Sequence, residues 1–327
     1  YSKNMKKLVL FSMLCCSLLS FSQDYYKQQW DKIRQNTEKG VVKSNESIIQ
    51  EIKTRAMKEK NVPQLIKALK NEFSVSFYKN DDEQNNEKSG FLKQLQDTEK
   101  SLKGDDQVFF SVLVMEYVKD YYLDNSWRIN MLTNLDQNGK GEIETWTKLD
   151  FKNWIAQKIE SIDTQSNKLK NIQITQYQTI FEENDLEIDF VKSAYDWYQL
   201  NKIDYWKSDL FTKDEKVVNN EKVQATYKDL IERNEGNSKL YFQEQLLNDQ
   251  LGNKTNKEVL TELSKIYESN TQGDYKAVIA NRMMQLLIDD GKQIEALAIA
   301  DQAKAQYKKS KFINGLLNTE STVRQST

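Results

Sequence analysis

Residues 286–307 read LLIDDGKQIEALAIADQAKAQY, and this stretch decides the fold class. Apolar residues at helical spacing lie on both sides of Gly291, and Ala296 and Ala303 follow it at steps of five and seven residues. A turn glycine followed by alanines at a close helix crossing is typical of a tetratricopeptide (TPR) helix pair. Because Lys308 replaces the proline usual near the end of such a pair, we predict one TPR-like hairpin rather than a full array.

Helical periodicity extends outward from this hairpin along most of the chain. Apolar residues recur at four-residue steps after a first-turn proline, in Pro63, Leu65, Leu69, Phe73 and Phe77. One proline and ten glycines in 327 residues leave little room for extended or turn-rich structure. Helix pairs that bury their apolar faces only against neighbouring pairs stack side by side. We therefore predict an all-α fold of stacked antiparallel helix pairs, a TPR-like α-solenoid.

Glycines and polar runs predict where the helices end. In the last third of the chain, we expect helices to stop at Gly236, at Gly252 and before Gly273. Residues 79–90, KNDDEQNNEKSG, are charged and rich in amides, so we expect a loop there.

Three segments follow from these patterns. Residues 1–22 hold the upstream residues and an export signal, residues 23–165 form an N-terminal helical region, and residues 166–327 form a TPR-like repeat region. Within the second segment, we expect Asp105 or Asp106 to act as the N-cap of a helix.

Residues 136–147, DQNGKGEIETWT, resemble a calcium loop in part. Asp136 and Gly141 fit the first and sixth positions of an EF-hand loop. Lys140 places a positive charge at the fifth position, and Thr147 cannot supply the bidentate carboxylate required at the twelfth. The stretch therefore predicts a polar turn between two helices rather than a calcium site.

The composition argues against an enzyme. The chain has no histidine, so the commonest general base and the usual metal ligand are missing. Its 49 acidic and 47 basic residues are interleaved, which is typical of solvated helix faces, and the near-neutral net charge of −2 disfavours nucleic-acid binding. We predict no catalytic residue, no metal site and no cofactor. A hydrolase would need a carboxylate pair or a metal cluster, and neither can be recognised in the sequence.

An export signal begins at Met5. Two lysines precede an apolar run at residues 8–21, and Ser20 and Ser22 occupy the −3 and −1 positions of a cleavage site before Gln23. The run is shorter than the roughly 20 apolar residues that a membrane-spanning helix needs. We predict that the mature chain is exported and has no membrane span.

Both cysteines, Cys15 and Cys16, fall within this signal. A lipoprotein would carry its lipid on one of them, but the apolar run continues past both, so we favour cleavage before Gln23. The mature chain would then have no thiol for a disulfide, a nucleophile or a zinc site. It would also lose three lysines, which makes its formal charge three units more negative than the −2 of the full sequence.

Aromatic residues are concentrated between residues 171 and 206. They are Tyr177, Phe181, Phe190, Tyr195, Trp197, Tyr198, Tyr205 and Trp206. At helical spacing such residues favour core packing, in which each buries a large apolar area. A ligand-stacking surface is the alternative interpretation.

Two further stretches carry a family resemblance. In residues 25–69 the matching residues are Trp30, Lys39, Gly40, Lys43, Ser44, Ala56, Asn61, Pro63, Gln64, Lys67 and Ala68. In the second they are Trp127, Arg128, Ile129, Thr145, Trp146, Leu149 and Ile159. These patterns resemble the helical N-terminal region of the very large alpha-2-macroglobulin-like proteins that some Gram-negative bacteria export. The likeness runs in order over most of residues 24–315.

The resemblance implies a role in protease trapping. Members of the family collapse around an attacking protease after it cuts a bait segment. This sequence has no β-rich macroglobulin domain, no bait segment and no Cys-x-Glu-Gln thioester, so the trapping chemistry itself cannot be located in it. We expect the chain to be a fragment of a longer reading frame.

The leading hypothesis is a non-enzymatic scaffold or docking module at the N-terminus of such a protease inhibitor, in the periplasm or cell envelope. Its partners would be other domains of the same longer chain, proteases or envelope proteins. Trp127, Arg128 and Trp146 are the candidate structural or docking cluster, with core packing as the other reading. The alternative function is a free-standing exported TPR-like adaptor that assembles envelope proteins.

Overall fold

The computed structural model describes residues 24–76, 81–132, 141–181, 189–252, 254–269 and 272–326. Within these ranges the regular structure is helical, and the strand-like pairing is one antiparallel bridge between Gln173 and Ser193. The all-α prediction is confirmed. The export signal with Cys15 and Cys16, and the first five residues of the calcium-like stretch, lie outside the described residues.

Fourteen α-helices follow one another along the described ranges. They are α1 (residues 24–38), α2 (Asn45–Glu59), α3 (Val62–Ser76), α4 (Asp81–Ser101), α5 (Gly104–Ile129), α6 (Lys148–Asp163), α7 (Ser166–Asn171), α8 (Ala194–Lys207), α9 (Lys213–Arg233), α10 (Gly236–Asp249), α11 (Asn256–Ser269), α12 (Lys276–Asp289), α13 (Gln293–Tyr307) and α14 (Ile313–Ser326). Short 3-10 segments cover Val42–Ser44, Ile143–Thr145 and Ile174–Ile180.

The helices belong to two compact units. The first contains the described residues up to Ile162 together with residues 175–181, and the second contains Asp163–Ile174 and the described residues from 189 onward. The domain boundary predicted after residue 165 stays a prediction, because a division by packing does not show that the parts fold independently.

In the first unit, α2 packs on α3, α3 on α4, and α4 on α5. Ile49, Ile52 and Ala56 recur at three- and four-residue steps on α2 and are buried, as the helical period requires. Pro63 is the second residue of α3, in the first turn, where its missing N–H costs no hydrogen bond.

The loop predicted at residues 79–90 is wrong for its described part. Helix α4 begins at Asp81 and continues to Ser101. Glutamate, glutamine and lysine are good helix formers, and the segment has no proline to break a helix. Its polarity was therefore a poor signal for a loop.

Gly90 offers a test of this helix. It lies inside α4, and a Cβ added there would meet nothing within 4 Å. Because alanine loses less backbone entropy than glycine in a helix, we expect Gly90→Ala to raise the free energy of unfolding by about 0.5–1 kcal/mol. Urea unfolding followed by circular dichroism measures the change. An unchanged or lower stability would indicate that residues around Gly90 are not helical in solution.

The cap predicted for α5 is also wrong. The N-cap is Lys103, which makes no side-chain capping bond, and Asp105 and Asp106 lie within the first turn. There the two carboxylates still favour the positive end of the helix dipole. Asp106 accepts a hydrogen bond from the hydroxyl of Tyr177, whose ring stacks on Phe109.

In the second unit, each helix from α8 to α14 packs on the next, and α10 and α14 both pack on α12. Contacts between alternate helices are what stacked helix pairs produce. Between α12 and α13, Gly291 has φ 74°, and the N–H of Lys292 donates to the carbonyl of Leu287. This αL glycine ends α12 in a Schellman motif. Ala296 and Ala303 are completely buried, so the predicted hairpin is confirmed.

The predicted helix ends need one correction. Gly236 opens α10, because α9 already ends at Arg233. Gly252 and Gly273 do lie in connections, after α10 and before α12 respectively. Glycine suits both ends of a helix connection, so its position alone does not distinguish a stop from a start.

Most of the aromatic residues between 171 and 206 are core residues. Tyr177, Phe190, Tyr195, Trp197, Tyr198 and Tyr205 are buried. Core packing is therefore confirmed for these six. Trp206 is only half-buried, as is Phe181.

Candidate docking surface

Helix α5 runs from the core of the first unit to its surface. Its first part is surrounded by protein, and the residues from Val108 to Val118 include eight buried apolar side chains. Toward its C-terminal end, one side of the helix becomes exposed, beginning at Asp120. The buried part holds the exposed end on a rigid support.

Three large apolar side chains share this exposed side. Leu123 is 41% exposed, Trp127 68% and Met131 78%. A four-residue step returns to nearly the same side of an α-helix, so the three form one stripe. Met131 follows the end of α5, where its N–H still donates to the carbonyl of Arg128 and continues the turn. We call these three residues the α5 stripe.

Two acidic residues border the α5 stripe. Asp120 and Asp124 are both exposed, and their spacing places them on the same side of α5 as Trp127. Asp120 is 3.2 Å from the ammonium of Lys119, an otherwise buried lysine. The surface is therefore apolar, with Asp124 as an acidic residue at its border and Asp120 in an ion pair with Lys119.

Arg128 faces away from the α5 stripe and ties α5 to the next segment. Its guanidinium donates to the carbonyl oxygen of Glu144 at 3.0 Å and to the hydroxyl of Tyr121 at 3.4 Å. Burial raises the pKa of Tyr121, and the charge of Glu144 raises it further, although Arg128 opposes both. Tyr121 therefore stays neutral at physiological pH and acts as a hydrogen-bond acceptor for Arg128.

Trp146 is part of the core beside this tie. It is 1% exposed, its indole N–H donates to the carbonyl of Gly141 at 3.4 Å, and its ring meets Phe151 edge-on with centroids 5.2 Å apart. Thr147 and Asp150 exchange side-chain and backbone hydrogen bonds at the start of α6. This capping box fixes the helix that carries Phe151.

The structure thus separates the three residues of the predicted cluster. Arg128 hydrogen-bonds to the carbonyl of Glu144 and Trp146 packs in the core, whereas Trp127 is at the surface. Which of them takes part in docking stays a prediction. Leu123 and Met131 were missed. Both lie four residues from Trp127, on a different side of α5 from Val118 and Tyr122. This spacing was the sequence signal that could have identified them.

In the described ranges, no group of three or more histidine, cysteine or acidic side chains is placed to hold a metal ion. A backbone hydrogen bond from Thr255 lowers the pKa of Glu258. Burial raises the pKa of Glu320, but hydrogen bonds from Lys304 and Arg324 outweigh it and hold that pKa below its usual value. Both carboxylates are therefore charged at neutral pH.

Among the helices of the described ranges, none combines the length and the apolar character needed to cross a bilayer. The chain matches no protein-family model, no curated protein and no solved structure.

Proposed function

We propose that this chain is a non-enzymatic helical docking module of an exported alpha-2-macroglobulin-like protease-trap protein. The observation that carries the proposal is the α5 stripe, in which Leu123, Trp127 and Met131 are exposed together on a rigidly held helix end. The module would act in the periplasm or cell envelope of a Gram-negative bacterium.

The composition of the stripe supports a protein partner. Tryptophan and methionine are enriched at protein interfaces, and tryptophan is among the residues that most often dominate binding energy. Exposed apolar side chains that occur singly need no explanation, whereas a contiguous patch indicates an interaction site. Because Arg128 and the buried part of α5 fix the helix, little conformational entropy would be lost on binding.

Charge indicates the chemistry of the partner surface. Asp124 borders the stripe, so a partner with an apolar centre and a lysine or arginine at its edge would be complementary. We propose that this surface belongs to another domain of the same longer protein. Proteases and separate envelope proteins are the other partners of this chemistry.

The macroglobulin assignment rests on the sequence patterns around Trp30 and Trp127. A helical region that precedes β-rich domains must pack against them or hold them apart, and an apolar stripe at a helix end serves the first purpose. In this proposal the module positions the trap domains and takes no part in bond cleavage.

One observation favours a second candidate, a free-standing exported adaptor of the TPR-like class. In the second unit, α10, α12 and α14 pack as alternate members of a stack of helix pairs, which is the arrangement of proteins that bind other proteins. Whether strand-rich macroglobulin sequence follows Thr327 in the same reading frame distinguishes the two candidates.

The test is binding between this chain and the macroglobulin domains that the proposal places downstream in the same reading frame, measured by isothermal titration calorimetry. Trp127→Ala is expected to raise the dissociation constant about 30-fold or more, because an interface tryptophan is lost. This corresponds to roughly 2 kcal/mol of binding free energy. Folding should be retained, since Trp127 is mostly exposed.

Ile294→Ala is the matched control, because Ile294 is an exposed apolar residue on α13 in the other unit and should leave binding unchanged. Equal affinities for Trp127→Ala and the unmodified chain would refute the docking role of the stripe. A reading frame that stops after Thr327 would instead refute the macroglobulin assignment and leave the adaptor.

A further inference from the structure

A cleft of about 440 Å³ lies in the second unit. It is formed where α8 ends, α9 begins and α10 ends, and its polar and aromatic lining consists of Trp206, Lys207, Lys213, Lys216, Asn220 and Asp249. We propose that this cleft binds an acidic saccharide. The sugar ring in the cleft would carry both hydroxyl groups and a carboxylate.

Asp249 supplies an unused hydrogen-bond acceptor. Its side chain is 10% exposed, and Lys207 bonds one carboxylate oxygen, Oδ1. The other oxygen, Oδ2, is buried and accepts no hydrogen bond from the described residues. Buried carboxylate oxygens are normally hydrogen-bonded, so this one fits a ligand that brings a donor such as a hydroxyl group.

The charge of the lining selects an anion. Three lysines face one aspartate in the cleft, and that aspartate is already paired with Lys207. Lys213 and Lys216 make no ion pair with the carboxylates of the described residues. Both lie in the first turns of α9, at the positive end of the helix dipole, where cations are unfavourable. A ligand carboxylate between them would relieve this repulsion.

Carboxylate suits the cleft better than phosphate. Phosphate sites at a helix N-terminus use several free backbone N–H groups, and at α9 the capping box of Thr212 and Glu215 occupies two of them, the N–H groups of those two residues. The lining also contains no arginine, whose planar fork matches phosphate oxygens.

Trp206 explains why the ligand should contain a saccharide ring. The face of an indole is negative, and the C–H groups on one side of a pyranose are slightly positive, so the two surfaces pack together. The ammonium groups of Lys202 and Lys222 lie 5.2 and 5.8 Å from the centre of the Trp206 ring. The indole therefore already packs against positively charged groups. Lys222 is exposed, so a ligand can displace it.

The experiment is calorimetric titration of the intact chain with tri-galacturonate. The methyl ester of the same trisaccharide is the uncharged control ligand. Tri-galacturonate is expected to bind at least about tenfold more tightly than the ester, because only the acid can pair with Lys213 and Lys216. The double variant Lys213→Gln with Lys216→Gln should remove this difference. Lys228→Gln, an exposed lysine on α9 roughly four turns from Lys213, is the control and should bind normally.

Asp249→Asn separates hydroxyl recognition from simple charge attraction. Removal of a negative charge would strengthen binding if only charge mattered, whereas loss of the carboxylate acceptor should weaken tri-galacturonate binding about threefold or more. Equal binding of acid and ester, stronger binding by Asp249→Asn, or tighter binding of ATP or of a polyglutamate peptide than of tri-galacturonate would each overturn the proposal.

Discussion

Gly273→Ala is expected to lower the free energy of unfolding by about 2–5 kcal/mol. Gly273 has φ 111°, a conformation that L-residues rarely adopt. A Cβ there would be 2.7 Å from Cδ1 of Leu240 and 3.1 Å from the backbone N of Asn237. The backbone of α10 cannot move without loosening its packing, so the variant combines backbone strain with overpacking.

The hydrogen bonds beside Gly273 make this position critical. Asn237 donates to Asp274 at 2.7 Å and accepts a bond from the backbone N–H of Tyr275 at 2.9 Å. These bonds join the first turn of α10 to the start of α12. A shift at Gly273 that relieves the contact with Leu240 would break them.

Gly291→Ala is the matched control. Gly291 also has positive φ, 74°, but a Cβ there meets nothing within 4 Å. Only the cost of placing an L-residue at positive φ applies, so the free energy of unfolding is expected to fall by about 1–2 kcal/mol. Urea unfolding of both variants measures the difference. Equal losses would show that the close approach of Leu240 to Gly273 does not exist in solution.

The hairpin of α12 and α13 was predictable because its signals are local. A glycine at the turn and alanines at the crossing are required by the backbone itself, and Gly291 and Ala303 occupy those places. Helix α4 was not predictable from local sequence signals of this kind. Polar residues are compatible with both loop and helix, and only tertiary packing of the residues after Gly90 decides between them.

Surface sites were harder to predict than the fold, for a related reason. Trp127 and Trp146 look equivalent in sequence, yet one is exposed and the other is buried. Helical spacing shows that side chains share a face but does not show which face meets a neighbour. The same limit applies to Trp206, which was grouped with core aromatics and lies half-buried beside Asp249 in the cleft. Residues from three helices form that cleft, and no local pattern brings them together.

Glu244 on α10 is the position for the second large effect. Its side chain is 8% exposed, and its two oxygens accept hydrogen bonds from the hydroxyl of Tyr275 at 2.6 Å and from the guanidinium of Arg282 at 3.0 Å. Burial raises the pKa of Tyr275, and the charge of Glu244 adds to the increase, so Tyr275 remains a donor well above neutral pH. Both partners come from the α12 side, so Glu244 links α10 to α12.

We expect Glu244→Ala to lower the free energy of unfolding by about 3–5 kcal/mol, because it leaves Arg282 largely buried without its counter-ion. The hydroxyl of Tyr275 would also lose its acceptor. Glu244→Gln keeps the shape and one of the two acceptor oxygens but removes the charge and the other acceptor, so a smaller loss, about 1–3 kcal/mol, is expected.

Glu262→Ala on α11 distinguishes burial from charge. Glu262 pairs with Lys265 at 2.8 Å as Glu244 pairs with Arg282, but its side chain is 42% exposed. Exposed pairs of this kind contribute about 0.2–1 kcal/mol, so this variant should be nearly as stable as the unmodified chain. Urea unfolding at neutral pH measures all three variants. If Glu244→Ala proved no more destabilising than Glu262→Ala, α10 and α12 would not be joined by a buried ion pair. The stacking of α10, α12 and α14 would then need another cause.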